Sequence, residues 1–227
     1  MTSVTLIKQP QQFRWNGLHV PYVALWSSEK EQPTPLVKTI GGEWGNARLG
    51  YADELPTDRR QETLWVRYSL GHGAGAPNLA HMHPLRQRRA MEHMLCQVCG
   101  QSTYDDGFRR WGERHLFIRR DPENRPISDG ELTTTPPVCE LCAIESARSC
   151  PRLRQGYAAA LVQYAEPWGV SGFVFDPAAG LKRGHSPASV AYTDPRIRWV
   201  QARRDIATLR GCTPIRLEDL ATYDAAA

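Results

Sequence analysis

The chain has 227 residues, 41% apolar and 23% charged, with a net charge of +4. These values sit at the globular norm, exclude disorder throughout, and allow one large domain or two small ones. No stretch reaches the roughly 18 apolar residues of a membrane-spanning helix, and residues 1–12 lack the apolar run of a secretory leader, so the expected setting is the reducing cytoplasm with no membrane partner.

In chain order, residues 4–70 read as a β-rich region with long turns. Residues 19–26 are rich in strand formers, with Pro21 suited to an edge. Residues 63–68 alternate, placing Leu64, Val66 and Tyr68 on one face and Trp65 and Arg67 on the other. Gly41-Gly42, Gly45 and Gly50 mark loops, and the glycine-rich residues 71–77 read as a linker or mobile loop. Pro84 suits the first turn of a helix predicted over 84–95. That helix turns Gln87, Met91, Met94 and Leu95 inward and shows a basic stripe of Arg86, Arg89 and His93 to solvent.

A strand is expected at 113–118, a polar loop at 121–130, and a short helix at 142–149 that Pro151 closes. Residues 157–164 and 172–175 read as a hairpin across Pro167 and Gly169, followed by a loop at 176–187 and a short strand at 188–192. Asp194-Pro195 looks like the start of a helix running to Arg210 and stopped by Gly211. Its Trp199, Ala202, Ile206 and Leu209 recur at helical spacing, as a core-facing stripe would.

Cys96-Gln97-Val98-Cys99-Gly100 has the form of a metal knuckle. Two thiols separated by two residues can grip one ion, and Gly100 lets the backbone curl back. Cys139-Glu140-Leu141-Cys142 supplies a second pair after 39 residues. In a reducing compartment, Cys96, Cys99, Cys139 and Cys142 therefore read as the ligands of one structural Zn2+, a closed shell with no position for a substrate. Glycine follows the first pair and helix formers follow the second, which is the treble-clef arrangement. Cys150 and Cys212 read as small buried apolar residues, Cys150 having a further possible role as a spare ligand. His72, His81, His83 and His93 read as exposed loop histidines.

The fold class expected is α+β: an antiparallel β-rich domain, a treble-clef-like zinc module and a C-terminal helix. The chain divides into a β-rich region at 1–80, a zinc module at 81–152, and a hairpin plus helix at 153–227 packed on the same fold.

The stretches Leu95-Cys96-Gln97-Val98-Cys99-Gly100 and Val138-Cys139-Glu140-Leu141-Cys142 resemble the zinc scaffold of HNH endonucleases. The resemblance implies His115 as general base, Asn124 as the middle asparagine and a second, open metal site. Arg114 and Ala143 depart from the residues that family prefers at those places. Trp26-Ser27-Ser28-Glu29, the run from His83 to Met91, and the run from Pro136 to Pro151 also resemble proteins of actinomycete bacteria that have no known activity. That resemblance implies one continuous fold.

Eight arginines against four acidic residues between 86 and 120 concentrate positive charge around the first cysteine pair. Arg86, Arg89, Arg109 and Arg110 are thus candidate nucleic-acid contacts, with Arg119 and Arg120 behind them. The alternative partner is a protein docking on a zinc-stiffened surface. Gly71-His72-Gly73-Ala74-Gly75 lacks the Lys-Ser/Thr of a phosphate loop, and no G-x-S-x-G elbow is present, so no catalytic residue is assigned.

Overall fold

Strands lie on both sides of the cysteine pairs, and the computed structural model, which describes residues 10–41 and 45–223, is strand-rich α+β. The first part forms β1 (Phe13–Trp15), β2 (Leu18–Val20), β3 (Ala24–Trp26), β4 (Leu36–Gly41), β5 (Asn46–Tyr51), β6 (Arg59–Arg60), β7 (Thr63–Trp65) and β8 (Pro77–Met82). Then come α1 (Pro84–Glu92), α2 (Asp106–Arg110), β9 (His115–Arg120), β10 (Leu132–Thr133) and α3 (Glu140–Ser149). The rest is β11 (Tyr157–Val162), β12 (Tyr164–Asp176), β13 (Lys182–Arg183), β14 (Ala188–Ala191), β15 (Val200–Arg210), β16 (Thr213–Pro214) and α4 (Leu217–Tyr223). Residues 4–9 of the expected β-rich region, and Gly42, lie outside the described residues.

The spine is the long antiparallel pair β12–β15 in a 7-stranded sheet, ordered β13-β12-β15-β7-β6, with β14 on β12 and β10 on β15. β7 joins β15 in parallel, so a strand from the first third of the chain is built into a sheet made mainly by the last third. A second sheet, β16-β11-β9, carries the core beneath the cysteines: Leu116, Ile118, Val138, Ala143, Ala159 and Leu161 pack with Cys96 and Cys142.

The helix expected over 194–210 is a strand. Asp194 does cap, accepting from the Arg196 amide, but it opens only a 3-10 turn at Pro195–Trp199 before β15 begins. Val200, Ala202, Ile206, Ala207 and Leu209 are all buried, because the strand is covered on both faces; that hides the period-two signal and lets a helical spacing be read instead. The expected hairpin of 157–164 with 172–175 does not form either. β11 pairs with β9 and β16, while β12 pairs with β15.

Other segments differ in smaller ways. Gly41 and Gly50 lie inside the β4–β5 hairpin rather than in loops. Residues 71–76 form a packed loop, in which the Ser28 hydroxyl meets the carbonyls of Gly71 and Ala74 at 3.0 and 2.8 Å, and Pro77 already begins β8. Helix α1 stops at Glu92, and Met94, with φ 46°, turns the chain toward the knuckle.

Candidate metal centre

The first pair of thiols sits on a tight turn. The Gly100 amide donates to the Cys96 carbonyl at 2.8 Å, and the Cys99 amide points at the Cys96 sulfur at 3.5 Å. Gly100 has φ 71°, and a Cβ there would stand 2.8 Å from the Tyr22 ring, so the position has two reasons to be glycine. The turn is also docked on an early part of the chain. The amides of Tyr22 and Val23 donate to the carbonyls of Val98 and Gln97 at 2.8 and 3.2 Å.

The second pair sits where α3 begins. Cys139 is its N-cap residue and Cys142 lies in its first turn, so both sulfurs lie at the end of the helix that favours negative charge. Glu140, between them, accepts from the Trp111 indole and pairs with Arg110, tying α2 to this turn. The Val138 amide donates to the Leu116 carbonyl at 2.8 Å and fixes the approach to the helix on β9.

The four sulfur atoms all lie within 4.8 Å of one another, and Cys99 and Cys139 stand 3.9 Å apart. None of the four is in a disulfide. This cluster could hold a metal ion, and it is the arrangement expected from the two C-x-x-C spacings. Hydrogen bonding from Cys139, then from Cys142 and Cys99, pulls the Cys96 thiol far below its ordinary range; the same crowding, led by Cys139, pushes Cys142 far above it. A dication among the sulfurs removes that conflict by favouring the thiolate at all four.

A knuckle and a helix N-terminus are two parts of a treble clef. The hairpin between them is absent among the described residues, since β9 pairs with β11 and β10 with β15. Cys150 is outside the tetrad, at the C-cap of α3. Cys212 packs partly buried against the Phe117 and Leu209 cluster, and burial pushes its thiol up to about 12.

His115 is buried rather than presented to solvent. Its Nδ1 lies 2.8 Å from the Thr103 hydroxyl, which itself donates to the Met94 carbonyl, and the rings of Tyr104 and Phe108 lie 4.7 and 4.6 Å away. Burial lowers its pKa to about 4. That environment suits a packed neutral imidazole, not a base reaching a phosphodiester, while Asn124 is exposed in the loop after β9. Among the described residues, no other group of three or more His, Cys, Asp or Glu converges in the same way.

The other histidines divide. His81 and His93 are exposed, as expected. His72 is enclosed by Phe13, Tyr22 and Trp26, and His83 is fully buried, because both flank an ion pair in the core. That pair corrects the expected basic stripe. Arg86 is buried, its guanidinium forked onto Glu29 at 2.6 and 2.7 Å and bonded to the carbonyls of Tyr22 and Ala24. Burial alone would raise the Glu29 carboxyl; the Arg86 bonds and the Trp26 amide outweigh it and hold the pKa below its ordinary value. An arginine beside Gln87 and Met91 on the inward face of α1 was the sequence signal for this, and the buried Glu29 that satisfies it could not be seen.

Of the other candidate contacts, Arg89 is exposed, Arg109 pairs with Asp106, and Arg110 pairs with Glu140. Three arginines not singled out by the sequence, Arg148, Arg152 and Arg154, are exposed around the end of α3. Arg148 and Arg154 line an open cleft of about 970 Å³ together with Arg216, Tyr157 and Asn124. No protein-family model, curated protein or solved structure matches this chain.

Proposed function

We propose that this is a structural-zinc protein whose closed four-thiolate site holds a phosphate-binding surface in place for a nucleic-acid partner. The observation that carries the metal is geometric. A tetrahedron with ~2.3 Å zinc–sulfur bonds has edges of ~3.8 Å, close to the 3.9 Å between Cys99 and Cys139. Four thiolates fill the shell, so the ion does no chemistry on a substrate; its binding energy goes into joining the knuckle to α3.

What supports the nucleic-acid partner is the cleft beside α3. Arg148 and Arg154 have no side-chain hydrogen bond or ion pair among the described residues, so their charge is free for phosphates. The contact surface proposed thus moves from α1 to the far end of α3, with Arg89 and Arg109 outlying.

Two measurements test this. Elemental analysis should find one zinc per chain, and Cys96→Ser or Cys139→Ser should lose it together with most soluble yield; metal-free protein that folds normally sinks the metal. Anisotropy with mixed-sequence DNA and RNA should show binding that weakens steeply with salt. Arg148→Ala with Arg154→Ala should flatten the salt slope by roughly one unit per lost contact. One observation favours a second reading, a protein partner: Leu141 and Tyr104, near the cysteines, are 79% and 57% exposed. Salt-insensitive DNA and RNA results, with loss of a co-purifying protein in Leu141→Ser, would put that first.

A further inference from the structure

The C-terminal half of α3 covers a second space, separate from the basic cleft. It is a cavity of about 290 Å³ reached from solvent beside β8. Its lining is mostly apolar, with Leu18, Leu79, Met82 and Ile118 prominent, and Gln97, Thr135, Ser146 and Ser149 add neutral polar side chains. Leu79 is 48% exposed at its margin, although an apolar side chain on a soluble surface gains by being covered. The size lies at the small end of ligand pockets. At the ~30 Å³ each water takes in the liquid, and with a methylene filling about as much, it accommodates roughly ten heavy atoms.

The charged groups around this cavity are one-sided. Glu145 lines it, but its carboxylate is already held by Arg14 and His19, each at 3.2 Å. Arg119 is committed to Asp121 and Glu131. That leaves two cations at the cavity. Among the described residues, Arg120 meets only the neutral Gln155 amide, at 2.9 Å, and Arg152 has no side-chain partner. An apolar chamber with two uncommitted guanidinium groups complements a molecule that is apolar along its length and anionic at one end.

We infer that this cavity is a binding site for a small amphipathic carboxylate, its hydrocarbon body against Leu18, Leu79, Met82 and Ile118 and its carboxylate on Arg120 and Arg152. Cys150 lines the same cavity, so its sulfur reports on occupancy. The other thiols interfere little: four belong to the metal cluster, and burial pushes the Cys212 thiol up to about 12.

The test uses the full-length zinc-loaded chain, with decanoate and 1-decanol as probes in calorimetric titrations. Decanoate should bind saturably at one site and slow the alkylation of Cys150 by iodoacetamide. Arg120→Ala with Arg152→Ala should weaken decanoate by about tenfold or more while leaving decanol nearly unchanged, since only the charge-assisted bonds are lost. Leu79→Trp, at the margin, should fill the space and weaken both probes without touching the arginines. Failure of decanoate to saturate, equal affinity for decanol, or binding that leaves Cys150 alkylation unchanged would each overturn the assignment. None of these outcomes depends on nucleic-acid binding, because Arg148 and Arg154 are left intact.

Discussion

Arg86 reaches 57 positions back along the chain to grip Glu29, and neither charge has water to fall back on. A buried pair of this kind adds little over an apolar pair of the same shape, yet breaking it is costly, because the surviving charge is stranded. Arg86→Ala should therefore destabilise by about 3–5 kcal/mol in urea melts, whereas Arg89→Ala on the exposed face of the same helix should stay within about 0.5 kcal/mol. Joint replacement by Arg86→Met and Glu29→Leu should recover much of the loss. A near-neutral Arg86→Ala would mean that the guanidinium is not buried in solution. His115 makes a different prediction at this scale. Burial holds its folded pKa at about 4, against an ordinary value of 6.5. Above 6.5 the imidazole is neutral in both states and stability is unaffected by it. As pH falls from 6.5 to about 4, the unfolded chain takes up a proton that the folded chain refuses, so stability declines through that window and levels off below it. Imidazole proton NMR should show His115 still neutral at pH 5.5; a midpoint near 6.5 would contradict its packing against Tyr104 and Phe108.

At the scale of elements, β15 has one edge taken by β12 along its length, and its other edge is shared by two short strands. β7 covers Gln201 and Ala202, and β10 covers Ala207 and Thr208. Asp205 falls in the gap. The Gln87 side-chain amide fills it as a piece of strand would, accepting from the Asp205 amide at 2.9 Å and donating to its carbonyl at 3.0 Å. Gln87→Leu keeps the bulk and orphans two buried backbone groups, so it should cost about 2–6 kcal/mol at ~1–3 each. A loss below 1 kcal/mol would show that water replaces the amide. This contact also explains what was legible in the sequence. The turn of Cys96 to Gly100 and the helix start at Cys139 are local, written in spacing and in one glycine, and the structure brings those four sulfurs together. Helix α1 was likewise readable, the inward turn of Gln87 included, but not the inward turn of Arg86, because its partner Glu29 lies 57 positions away in the loop after β3. β15 was misread for the same reason: elements that pack on it, β5 through Tyr51 and α1 through Gln87, lie more than 100 residues earlier, and no local pattern records that.

Across the whole molecule, the metal cluster joins segments that the sheets leave separate. The knuckle hangs on the backbone of Tyr22 and Val23 and the second pair on the β9 core through Val138; besides sulfur and packing, the two meet where the Gln97 amide donates to the Pro137 carbonyl at 2.8 Å and the Gln97 side chain to the Pro136 carbonyl at 3.1 Å. An apparent binding energy of ~10–16 kcal/mol for a structural zinc in small peptides is as large as the whole net stability of a domain, ~5–15 kcal/mol. Removing the ion should therefore open whatever it holds, and the question is how far the opening spreads. The β12–β15 ladder has its own core of Trp65, Val170, Val190, Val200 and Ala202, which contains none of the cysteines. Regions with independent buried cores open as separate units. Hydrogen exchange after treatment with a strong zinc chelator should thus lose protection first at the amides of Tyr22 and Val23, and at Val138, while the β12–β15 ladder exchanges later. Simultaneous loss across both would make the chain one cooperative unit stapled by the metal. Unchanged protection at Tyr22 and Val23 in protein shown to be zinc-free would mean that backbone hydrogen bonds and packing alone hold the knuckle, and the structural role given to the four cysteines would fall.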